Sequence, residues 1–217
     1  MHLKGIEMKN LNKTTDVAKF LCFGNLTQPF LDNDFVLNKV MSDYNFKLKS
    51  KGEANKLESL YLWINKNVSY SKDKQFRAEH KFQRTAKEIW ESKQATGCTD
   101  YCILFATFAR QIEIPTTFLH TAEKNWFARL KNNEGIEPHS GHAFCECFYE
   151  GEWVLVDPTC KRHQADYDAK SIRLEHNVNG YNEFIPFLRD LDLTVKQTTK
   201  EYNKLMDKLC LKLNCDF

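Results

Sequence analysis

His-Ala-Phe-Cys-Glu-Cys-Phe-Tyr-Glu-Gly-Glu-Trp-Val-Leu-Val-Asp, residues 142–157, is the stretch that decides the fold. His142–Tyr149 and Glu152–Asp157 are two β-prone runs, and only Glu150-Gly151 separates them. Such runs joined by a two-residue, Gly-containing turn read as a hairpin. The turn sets the register: Tyr149 opposes Glu152, Cys145 opposes Val156 and Phe144 opposes Asp157. His142 lies two positions from Phe144, so it shares a face with Asp157 and sits diagonal to it. Diagonal Cα atoms are roughly 7–8 Å apart, a gap that an imidazole and a carboxylate can close together. An Asp there can hold the tautomer of the imidazole and stabilise its cation, leaving the other ring nitrogen for a thiol. A slip of one residue would destroy the arrangement.

The same face carries Phe144, Phe148, Trp153 and Leu155, a wall on which a central helix is expected to pack. The opposite face carries Ala143, Cys145, Cys147, Val154 and Val156. Since both faces are apolar, the hairpin is expected inside a sheet. Burial then demands a partner for Asp157.

Upstream, Gly97-Cys98-Thr99-Asp100 opens a helix predicted over 99–111, apolar almost all round and therefore buried. A cysteine there meets the positive end of the helix dipole and unpaired backbone N–H groups. Both favour thiolate, the nucleophilic form, and the N–H groups can hold an oxyanion. Gly97 would allow close backbone approach. Further helices are predicted over 54–68 and 85–91, a strand over 115–119, and an amphipathic helix from Val195 to Leu213. Helices followed by an antiparallel sheet on a buried helix make an α+β fold.

Composition narrows the classes. At 217 residues the chain can bury roughly 70% of its unfolded surface, so neither disulfides nor metal are needed to fold it. The net charge of +2 gives no electrostatic case for nucleic acid or a membrane surface. No run approaches the ~18–20 apolar residues of a membrane span. Met1–Asn10 lacks the apolar core of a signal peptide, so the eight cysteines are expected as reduced thiols in a cytoplasmic protein, provided Met1 is the native start. With no repeat or linker, 1–217 reads as a single domain. His139, His142, Cys145 and Cys147 have suggestive zinc spacing, but His142 and the two cysteines point to opposite sides of a strand.

Gly-Cys-Thr-Asp-Tyr at 97–101, Ile114-Pro115, Gly-His-Ala-Phe-Cys-Glu at 141–146 and Gly-Glu-Trp-Val-Leu-Val-Asp-Pro-Thr at 151–159 together resemble the core of the transglutaminase-like superfamily. The resemblance covers about 54–160 and implies a papain-like fold; the flanking segments at 1–53 and 161–217 lie outside it and are expected to be helical. It makes Cys98 the nucleophile, His142 the general base and acid, and Asp157 the residue that orients the histidine. It implies a peptide or protein amide as substrate. The thiol chemistry requires no cofactor, and no metal is expected.

Cross-linking members usually place an aromatic residue after the nucleophile, where this chain has Thr99, and their calcium loops have no counterpart here. Hydrolysis through a thioester is therefore the expected reaction, making the chain a cysteine peptidase or amidase. A protein-glutamine transglutaminase or a glycan-releasing amidase is the alternative, and a non-catalytic peptide-binding module is the rival from another class. Gln94 and Trp90 are both candidates for a second oxyanion donor. Glu146 shares the face of His142 and either supports the site or pairs with a basic side chain.

Overall fold

The computed structural model describes residues 17–47, 56–132, 134, 140–169, 171, 174–178, 181–190 and 204, with backbone alone at 41, 43–47, 176–178, 181–182 and 190. A 3-10 turn at Val17–Leu21 and helices α1 (Asn33–Lys47) and α2 (Lys56–Asn67) come first. Strand β1 (Ser69–Tyr70), α3 (Lys74–His80), α4 (Ala86–Ser92) and β2 (Gln94–Ala95) lead into the central helix α5 (Cys98–Gln111). Strand β3 (Thr116–Glu123) and α6 (Lys124–Lys131) precede the hairpin β4 (Gly141–Tyr149) and β5 (Glu152–Asp157). Strands β6 (Arg162–Gln164), β7 (Leu174–Val178) and β8 (Tyr181–Asp190) complete the described elements.

The hairpin forms in the register the turn dictates, with Cys145 opposite Val156 and Tyr149 opposite Glu152. Glu150 and Gly151 both have positive φ, 53° and 88°, which is the backbone a two-residue primed turn requires. The six-stranded sheet runs β6-β5-β4-β3-β8-β7 with every pairing antiparallel, so the hairpin is interior.

The helical segment expected at 161–217 is corrected: where described it is mainly strand, from β6 through β8. Pro186 sits inside β8, which is paired on both sides, and a proline there argues against a strand. It is accommodated by a register shift against His120/Thr121, where Thr121 pairs with Pro186 and Phe187 is passed over. The helix expected over 195–213 lies outside the described residues except for Lys204. No described helix is long and apolar enough to cross a membrane.

The central helix packs on the sheet face opposite to the expected one. Its cluster joins Cys102, Phe105, Ala106 and Ala109 to Ala143, Cys145, Cys147, Val154 and Val156. Phe144, Trp153 and Leu155 instead meet Phe20, Leu119, Tyr167 and Phe184 on the far side. Side-chain size explains the reversal. A helix rich in phenylalanine needs small partners to come close, and Ala143, Cys145 and Cys147 provide them. Helix and strand approach until Cys102 Sγ reaches the carbonyl of Ala143 at 3.2 Å and Cys145 Sγ that of Cys102 at 3.8 Å.

Candidate active site

The contact between Cys102 and Ala143 fixes the position of the helix start. Cys98 lies one turn earlier on α5 and comes level with Gly141–Ala143 at the beginning of β4. There its sulfur takes a hydrogen bond from the Ala143 backbone N–H and another from His142. The segment before it is held by a buried ion pair. Asp100 accepts from the Thr96 backbone N–H at 2.7 Å, from Thr96 Oγ1 at 2.8 Å and from Arg84 Nη2. Arg84 also donates to Ser92 Oγ and to the carbonyl of Gln94, so one guanidinium ties α4, β2 and the start of α5 together. The capping box of α4, Thr85 with Glu88, fixes the other end of that helix.

On the far side of the imidazole, His142 Nε2 lies 3.0 Å from Asp157 Oδ2, with both side chains buried. The Phe144 ring stands edge-on to the imidazole with centroids 4.7 Å apart and holds its plane. Asp157 Oδ1 accepts from the backbone N–H groups of Thr159 and Cys160, each at 3.0 Å. The carboxylate is thus anchored by the turn that follows β5, with Oδ2 directed at the histidine. The three residues singled out from sequence stand together in one line.

The charges reinforce one another. Burial pushes the Cys98 thiol up, but the His142 cation, its hydrogen bond and the Ala143 N–H outweigh burial and bring it below the ordinary thiol range. Burial pulls His142 down, yet the Cys98 thiolate and the hydrogen bonds of Asp157 and Cys98 push it up to about 10. Both shifts run in the direction that favours thiolate and imidazolium over the neutral pair.

A cleft of about 160 Å³ opens over the sulfur, lined by Tyr70, Lys81, Phe82, Gly97, Cys98 and His142 among others. Parallel pairing of β1 with β2 sets Tyr70 opposite Ala95 and so beside the segment that leads into Cys98. Phe82 holds a left-handed φ of 64° on the cleft wall, a conformation uncommon outside glycine. Gly97 is extended, and a Cβ placed on it would meet nothing within 4 Å, so it keeps open space over the cleft instead of permitting close backbone approach.

Neither Gln94 nor Trp90 lines the cleft. Trp90 is committed to an aromatic cluster, with ring centroids 5.0 Å from Trp63 and 5.3 Å from Phe108. Glu146 is the buried partner of Arg189 and also accepts from Tyr167. Cys145 and Cys147 belong to the helix-side core, away from the face of His142, and His139 lies outside the described residues. The six described cysteines, 22, 98, 102, 145, 147 and 160, are all unpaired.

The family model of the transglutaminase-like superfamily matches residues 42–158, more than half of the chain. The chain belongs to the transglutaminase-like superfamily. Among solved structures, a Cytophaga hutchinsonii protein proposed to be a cysteine protease is similar at 18% identity and a TM-score of 0.50, covering 82% of this chain and 48% of that one. A structure described as a TGase covers 82% of this chain and 49% of its own at 14% identity and a TM-score of 0.38, too distant to bear on the argument. This transglutaminase-like chain thus spans about half the length of the structures it resembles. No curated protein matches it. The first of these likenesses supports the α+β, papain-like architecture described above.

Sequence reading passed over Tyr70, Lys81 and Phe82 on the cleft wall, the Arg84 clamp, and Cys160. Cys160 lies two residues beyond the matched core, so no family pattern points to it.

Proposed function

We propose that the chain is a thiol-dependent acyl-transfer enzyme, a peptidase or amidase that hydrolyses a peptide or protein amide through a thioester on Cys98. The observation that carries this reading is the continuous hydrogen-bonded line from the Cys98 sulfur through His142 to Asp157. In it, the Cys98 thiolate attacks the amide carbonyl, and the first backbone N–H groups of α5, which have no partner within the helix, face the developing oxyanion. His142, charged through its pairing with the thiolate, gives a proton to the leaving amine. The neutral imidazole then takes a proton from water, which releases the acyl group and restores the pair. Asp157 keeps Nε2 protonated and turns the other nitrogen, Nδ1, toward sulfur. A reducing cytosol suits this chemistry, because the thiol has to stay free.

The reading is tested by incubating wild type and Cys98→Ala with a mixed peptide library, with and without a primary amine. Hydrolysis products that require Cys98 support it, and products carrying the amine shift the assignment to transfer. Cleavage that persists in Cys98→Ala refutes it, and a Cys98→Ala variant that binds peptides as well as an equally inactive wild type moves the chain to the binding-module class.

A further inference from the structure

Behind the imidazole, on the side away from Cys98, a third donor approaches. Ligand atoms of His142, Asp157 and Cys160 all lie within 4.8 Å of one another. His142 and Asp157 are buried, whereas Cys160 sits half-exposed on the turn after β5 and offers a way in from solvent. The turn is preset: its Thr159 and Cys160 N–H groups grip Asp157 Oδ1, and the Cys160 thiol itself bonds to the same carboxylate.

We propose that His142 Nε2, Asp157 and Cys160 Sγ form a binding site for a thiophilic divalent cation of the zinc type, which represses the thiol centre when bound.

The donor set points to the class of cation. One imidazole nitrogen, one carboxylate oxygen and one thiolate suit zinc, whereas magnesium and calcium select oxygen alone. Zinc bonds of about 2.0–2.3 Å set tetrahedral ligands roughly 3.2–3.8 Å apart. The nitrogen and oxygen are already 3.0 Å apart and the whole set lies within 4.8 Å, so the main closure falls on the Cys160 side chain. Three protein ligands leave a fourth position for water. In the free protein burial and the Asp157 carboxylate keep Cys160 a thiol; a cation takes the place of that proton and of the one on Nε2, and both leave to solvent. The ring keeps its Nδ1 proton and its contact with the Cys98 sulfur.

Repression follows from charge. A dication at Nε2 replaces the negative partner of the imidazole, so Nδ1 becomes a weaker base and the neighbouring thiolate a weaker nucleophile. This consequence rests on the proposed function; the binding itself does not.

The test uses the full chain, reduced and freed of metal, titrated with Co²⁺ and then with Zn²⁺. Wild type should take one equivalent of Co²⁺ with the near-ultraviolet band of a thiolate–cobalt bond, and Zn²⁺ should displace it. Cys98→Ala should keep the band, because Cys98 lies on the other edge of the ring. Cys160→Ser should lose the band and weaken Zn²⁺ binding by more than the ~10–100-fold that even an outer partner of a ligand is worth. Cys160→Ala, with a thermal melt in the absence of metal, checks that the loss is not misfolding. No thiolate band in wild type, a band that survives both Cys160 variants, or one lost with Cys98→Ala would each overturn the site. Alkylation of Cys98 in metal-free protein examines the catalytic reading separately, so a failure of one is not mistaken for a failure of the other.

Discussion

Replacing Asp100 with Ala removes the carboxylate that holds the approach to Cys98. Asp100 is fully buried and Arg84 is 6% exposed, so the variant leaves a guanidinium in the interior without a counter-charge, held by Ser92 Oγ, the Gln94 carbonyl and the face of the Phe76 ring. Breaking a buried pair from one side costs about 3–5 kcal/mol. The Thr96 N–H and hydroxyl lose their acceptor too, so the upper half of that range applies. For a domain of this size each kcal/mol moves the melting point by about 2–4 °C, which predicts a fall of about 10 °C or more. Urea unfolding followed by tryptophan fluorescence, alongside a calorimetric melt, measures both quantities. The double variant Arg84→Met/Asp100→Leu removes both charges and should recover the part of the loss due to the stranded guanidinium, while the Thr96 donors stay without their acceptor. An Asp100→Ala protein that melts within about 2 °C of wild type, or a double variant that is simply additive, would refute the clamp.

Three smaller predictions accompany it. Glu146→Gln leaves Arg189 and Tyr167 without their charged acceptor, so it should cost about 3–5 kcal/mol in urea unfolding; a loss under about 1 kcal/mol would mean that the network contributes little. Thr85→Ala breaks the capping box of α4 and should cost about 0.5–2 kcal/mol in the same assay, with no change in the metal-binding titration. The alkylation rate of Cys98 should stay level across neutral pH and rise as pH passes about 10, where His142 gives up its proton and the thiolate becomes more basic; in His142→Ala a single thiol titration, moved by burial above the ordinary value of about 8.5, should replace this profile.

The sequence was most informative where geometry depends on local chemistry. A two-residue turn with positive φ at Glu150 and Gly151 admits one register, and that register alone sets His142 diagonal to Asp157. Cys98 was legible for a similar reason, since a helix start is marked by its neighbours. The helix-bearing face is not legible in the sequence because both faces are apolar, and the choice turns on side-chain volume, which an apolar pattern does not carry. Strand β8 was hidden by Pro186 and needed its partner β3 to make room for it. Arg84 and Asp100 are 16 positions apart, and Tyr70 reaches the cleft only through pairing with Ala95, so no local pattern announces either contact. Cys160 becomes meaningful only when the turn after β5 folds it back onto Asp157.

The central claim is that Cys98 is a thiolate because His142 is beside it, and site-resolved alkylation tests this most directly. Metal-free protein is treated with limiting iodoacetamide at pH 6, digested, and each cysteine followed by mass spectrometry in wild type and His142→Ala. An ordinary thiol of pKa about 8.5 is roughly 0.3% ionised at that pH, so full ionisation caps the advantage near 300-fold, and weaker nucleophilicity lowers it. Cys98 should outpace the exposed Cys22 by at least about 10-fold in wild type and lose that lead in His142→Ala. Equal rates for Cys98 and Cys22 in wild type, or a lead that survives the loss of His142, would contradict the account.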